Sequence, residues 1–64
     1  MYRKRYKVLI NWSGEILEFY THSTSPEAAL KNALRRCSVK VGYNLVYVKK
    51  YVMEPNARRW EVLQ

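Results

Sequence analysis

The stretch Tyr43-Asn44-Leu45-Val46-Tyr47-Val48-Lys49-Lys50-Tyr51-Val52-Met53 decides the fold. It is dense in valine and tyrosine, residue types that suit a pleated, half-buried surface, and it reads as a strand. Glu54-Pro55-Asn56-Ala57 then forms a turn with Pro55 and Asn56 at its centre. Residues 58–63 return as a short final strand. Strict alternation puts Val46, Val48, Lys50 and Val52 on one face and so carries Lys50 indoors. Tyr47, Lys49 and Tyr51 then share the other face, with Trp60 across from Tyr51. A β-bulge at Lys49-Lys50 removes the conflict, because it lets Val46, Val48, Tyr51, Trp60 and Val62 all point to the core. The bulge is preferred, since burying a lysine without a partner is costly.

Upstream, the punctuation is that of a helix over 26–40. Ser25 is a natural N-cap, Pro26 suits the first helical position, and Glu27 favours the positive end of the dipole. Leu30, Ala33, Leu34, Cys37 and Val41 make one apolar stripe, and Gly42 is the stop signal. Before the helix lie two strands, 5–12 and 15–22, joined by Ser13-Gly14. With a two-residue loop, Trp12 faces Glu15, Ile10 faces Leu17 and Val8 faces Phe19. That register gathers the apolar residues of both strands on one side. Arg5, Lys7, Leu9, Ile16, Glu18, Tyr20 and His22 occupy the other.

The expected architecture is therefore α+β: a single β-β-α-β-β domain spanning residues 1–64. Its four-stranded, mainly antiparallel sheet has the order 2-1-3-4, with one helix packed on one face. The other face is left to solvent or a partner.

Composition sets the functional expectation. Twelve lysines and arginines stand against five glutamates and no aspartate, a formal net charge of +7. Such an excess in so short a chain points to an anionic partner, nucleic acid being the commonest. The nine aromatic residues supply core material that a disordered basic tail lacks. The lone cysteine, Cys37, can make no internal disulfide and reads as a buried thiol, so a reducing, cytoplasmic setting is expected. The charged start (Arg3, Lys4, Arg5) is followed by too short an apolar run for a signal peptide or a membrane span.

Catalytic chemistry has no support. His22 and Ser23 are neighbours in a polar strand end, and no aspartate exists to orient the imidazole. Glu15 and Glu18 point to opposite faces of a strand, and one His, one Cys and five scattered glutamates offer no metal-ligand spacing. No enzyme activity, metal or cofactor is expected.

The expectation is a nucleic-acid-binding module that contacts the phosphate backbone of DNA or RNA. Its candidate residues are Arg3, Lys4 and Arg5 of an N-terminal arm that Lys7 continues, and Lys31, Arg35 and Arg36 on the outer helix. Lys49 of the 43–53 stretch, with Arg58 and Arg59 of the last strand, completes the cations. Tyr20 adds base stacking beside Arg5 and Lys7. Glu61 is expected to neutralise Lys50, leaving most cations free. No RNP-type aromatic motif, zinc-finger spacing or helix-turn-helix signature is present, so base-specific readout is not indicated. The alternative expectation is a small adaptor or inhibitor, a viral or mobile-element accessory protein, docking on an acidic protein surface. In either case the chain would be a monomer or a weak homodimer formed through the open sheet face or the last strand.

Overall fold

A computed structural model describes residues 2–64. Its elements are β1 (Lys4–Trp12), β2 (Glu15–Ser23), α1 (Pro26–Val41), α2 (Leu45–Val52) and β3 (Trp60–Leu63). The sheet has three strands in the order β2-β1-β3, both pairings antiparallel, and two helices. The four-stranded, one-helix architecture is thus corrected, and the correction lies wholly in residues 43–53.

The hairpin has the expected register, Trp12 opposite Glu15, Ile10 opposite Leu17 and Val8 opposite Phe19. Its two-residue turn takes positive φ at both positions, Ser13 at 52° and Gly14 at 87°. That conformation matches the twist of the flanking strands. The Asn11 side-chain oxygen accepts from the Gly14 amide at 2.9 Å and secures it. Helix α1 begins where Ser25 Oγ accepts from the Ala28 amide and ends where Gly42 enters the left-handed region at φ 77°. The Gly42 amide donates to the Ser38 carbonyl there, satisfying a last-turn acceptor.

The segment taken for a third strand is α2. Asn44 caps it, its side-chain oxygen accepting from the Val46 amide at 2.8 Å. Val48 and Val52, four residues apart, are both fully buried against the common core. Val46, which every strand register placed with Val48, is 72 % exposed. Helical spacing explains the difference, because residues two apart on a helix point nearly opposite ways. Lys49 and Lys50 both reach solvent without a bulge, and they lie in the last turn, where the helix dipole favours cations. Strand propensity yields here to tertiary burial.

The final strand therefore pairs directly with β1, Val62 opposite Val8 and Trp60 opposite Ile10, in the place expected of the 43–53 segment. Trp60 and Val62 pack against the core, as does Tyr51. The core itself is Tyr6, Val8, Ile10, Leu17 and Phe19 of the sheet, the α1 stripe through Cys37, and the two α2 valines. Both helices contribute to this one side, so the opposite sheet face has no helical cover. No helix among the described residues is long and apolar enough to cross a membrane.

Candidate nucleic-acid interface

Strand alternation and register lay out the uncovered face as a grid. Lys7 stands between Tyr20 on β2 and Leu63 on β3. One row towards the start of β1, Arg5 is opposite His22. One row the other way, Leu9 lies between Glu18 and Glu61. Asn11 and Ile16 close the grid near the hairpin turn.

The chemistry concentrates around Lys7 and Tyr20. The Lys7 ammonium is 3.4 Å from a Glu18 carboxylate oxygen, a diagonal cross-strand pair, and 5.9 Å from the centre of the Tyr20 ring. The Tyr20 hydroxyl donates to the same Glu18 oxygen at 3.2 Å. Glu18, by hydrogen bond and by charge, holds the Lys7 pKa above its ordinary value, with a smaller contribution from Tyr20. The Tyr20 ring stays 55 % exposed. Its carbonyl, on the free edge of β2, accepts from Arg36 of α1, whose guanidinium also sits 5.9 Å from the Phe19 ring. Asn32, one turn earlier on α1, donates to Ser23 Oγ at 3.0 Å. These contacts tie α1 to the β2 edge and set Arg36 against the Tyr20 backbone.

The expected binding residues accordingly fall into three places. Arg5 and Lys7 share the uncovered face with Tyr20, and Arg3 precedes them; alternation puts Lys4 in phase with Tyr6 and Val8, towards the helix side, from which Arg36 reaches the β2 edge. Lys31 and Arg35 are exposed on α1, on the other side of the sheet from Arg5 and Lys7. Lys49 is exposed on α2, and Arg58 and Arg59 precede β3 near the hairpin end. The Arg58 guanidinium lies 5.4 Å from the centre of the Trp60 ring.

Arg59 has a structural duty. Its guanidinium donates to the Tyr51 carbonyl at 2.8 Å, pairs with Glu54 at 2.8 Å, and lies 4.0 Å over the Tyr51 ring. The hydrogen bond to Glu54 raises the Arg59 pKa, against desolvation and with further help from the charge of Tyr51 and Glu54. The expected Glu61–Lys50 pair does not form; the two ion pairs among the described residues are Lys7–Glu18 and Arg59–Glu54. The other ten lysines and arginines have no carboxylate within 4 Å among the described residues.

One cluster escaped the strand reading. Trp12 packs its ring against Tyr51 at 4.8 Å, Tyr43 at 5.6 Å and Tyr47 at 6.3 Å between centroids. Tyr43 and Tyr47 each remain 53 % exposed. The four-residue spacing of Tyr43, Tyr47 and Tyr51 is the signal that could have revealed it, since it aligns them along one helix side. Among the described residues no three His, Cys or Glu side chains gather where they could hold a metal ion.

No family model matches the chain, and no curated protein or solved structure matches it.

Proposed function

We propose that the protein is a non-enzymatic module that binds single-stranded nucleic acid, DNA or RNA, mainly through its phosphates. The strand lies across the uncovered sheet face at the start of β1. Arg3, Arg5 and Lys7 neutralise phosphates on that face, Lys4 and Arg36 do so where the strand passes its margins, and a base stacks on Tyr20. One observation carries this reading: a half-exposed tyrosine stands in a row with Lys7, beside Arg5, on a sheet face that no helix covers, with Arg36 at the neighbouring β2 edge. Aromatic platforms flanked by cations accept any base, because every base has a π-face, and they discriminate little between sequences. Three further features fit. Most cations are not neutralised internally. Lys7, though paired with Glu18, keeps its charge to high pH. Tyr20 is held by its backbone as well as its hydroxyl, so little freedom is lost when a base settles on it.

The test is fluorescence anisotropy with labelled twelve-nucleotide oligo(dT) and oligo(rU) at low salt, with a duplex of equal length alongside. Single strands are expected to bind more tightly than the duplex. Tyr20→Ala should weaken that binding about 5- to 150-fold, the range for loss of one stacked base at about 1–3 kcal/mol. Absence of saturable binding at about 100 µM protein, the weak end of non-specific affinity, overturns the reading.

A further inference from the structure

Away from that face, α2 does two jobs with two sets of residues. Val48 and Val52 fill the core, which leaves Val46 72 % exposed, Met53 39 % and Leu45 37 %. An eight-residue helix needs none of these outward apolar groups for its own attachment. Between its outer face and the following turn runs a groove of about 750 Å³, lined by Val46, Lys49, Lys50, Met53, Glu54 and Pro55. The floor is apolar and the rim is basic. The single carboxylate of the lining, Glu54, is already held by Arg59 at 2.8 Å. Lys49 and Lys50 have no carboxylate within 4 Å among the described residues. The groove therefore offers an apolar floor and two uncompensated positive charges.

We infer that this groove docks a protein segment that is acidic and amphipathic, with apolar side chains seated on Val46 and Met53 and carboxylates reaching Lys49 and Lys50. A nucleic-acid strand would satisfy the lysines but has no aliphatic groups for the floor. A membrane surface would need a longer apolar face than two helical turns, about 12 Å, provide. An amphipathic partner helix meets both demands, since residues three and four apart align its anchors and its acids on adjoining stripes. The inference shares no residue with the proposed nucleic-acid face, so each stands or falls separately.

The experiment is a titration of the ¹⁵N-labelled protein, followed by amide chemical shifts. The probe is a fifteen-residue glutamate-rich peptide with leucines at helical spacing. A scrambled peptide of the same composition, phosphatidylserine-containing vesicles and oligo(dT) are titrated in parallel. The amphipathic peptide is expected to give saturable shifts centred on Val46, Lys49, Lys50 and Met53. Scrambling it, or substituting Lys49→Glu with Lys50→Glu, should weaken binding at least about fivefold. Val46→Asp, at a solvent-exposed site, should do the same while leaving the thermal midpoint within a few degrees. The inference is overturned by absence of saturation below about 1 mM, equal binding of the scrambled peptide, or shifts centred on Arg5, Lys7 and Tyr20. It is equally overturned if vesicles or oligo(dT) engage the groove in preference to the peptide. Oligo(dT) binding that survives the double lysine substitution would show the nucleic-acid face intact whatever the groove does.

Discussion

Replacing Val46 and Val48 separately by alanine discriminates between helix and strand at the segment on which the architecture turns. Val48 is fully buried, so Val48→Ala removes two methyl groups from the core. At about 0.8 kcal/mol per buried methylene-sized group the transfer loss is about 1.6 kcal/mol, and an unfilled cavity adds to it. Alanine's better helix propensity returns up to about 0.5 kcal/mol. The net cost is then about 1.5–2 kcal/mol. For a domain of this size, whose whole stability is about 3–6 kcal/mol, that is about a quarter or more of the total. The thermal midpoint should drop by about 6–16 °C. Val46 is 72 % exposed and packs little, so Val46→Ala keeps only the propensity gain and should be neutral or stabilising by up to about 0.5 kcal/mol. In a strand the two valines would share a face, and both substitutions would cost stability. Urea denaturation followed by far-ultraviolet circular dichroism, with tryptophan fluorescence as a second probe, measures the difference. If Val46→Ala costs as much as Val48→Ala, the assignment of α2 is wrong.

Three other outcomes are expected. If Arg3, Lys4, Arg5, Lys7 and Arg36 neutralise four or five phosphates of a single strand, log affinity falls against log salt with a slope of about −3 to −3.5. The Arg3→Ala, Arg5→Ala double variant should flatten that slope by about 1.4, and an unchanged slope would place the contacts elsewhere. Gly42→Ala should cost about 1 kcal/mol from backbone strain alone, because φ is 77° and the added carbon meets nothing within 4 Å beyond the adjoining backbone; an unchanged denaturation midpoint would refute the left-handed cap. Burial pushes the Cys37 thiol above its ordinary value of 9.0, with Lys40 opposing weakly. The folded state thus favours the protonated thiol, and the stability this contributes is complete below pH 9 and is lost as pH rises through the folded value. Denaturation midpoints measured from pH 8 to 10 should therefore decline, and Cys37→Ala should flatten the decline.

What could be read in advance was what neighbouring residues settle among themselves. The β1–β2 hairpin follows from period-two alternation and a turn that needs positive φ, and α1 follows from Ser25, Pro26 and Gly42. Because the hairpin was legible, so was the grouping of Arg5, Lys7, Tyr20 and His22 on one face. Residues 43–53 were misread because valine and tyrosine locally favour strands, while only the core shows that Val48 and Val52, and not Val46, are the buried set. The strand reading carried its own warning in the adjacent lysines, one of which had to be buried or bulged out; a helix frees both. Arg36 at the Tyr20 carbonyl and Arg59 at Tyr51 and Glu54 depend on how helices dock, which no local pattern encodes.

The pairing of β3 with β1 has a consequence for the order of events in folding. The hairpin and α1 join residues close in the chain, whereas Ile10 meets Trp60 across a sequence separation of fifty. Closing so long a loop is entropically unfavourable and slow compared with local turns. The last strand is then the piece that arrives late and leaves first, secured by four ladder positions and the Arg59 clasp. In native-state hydrogen exchange the inward amides of β3 should open at lower free energy than those between β1 and β2, so this small domain should come apart in two stages.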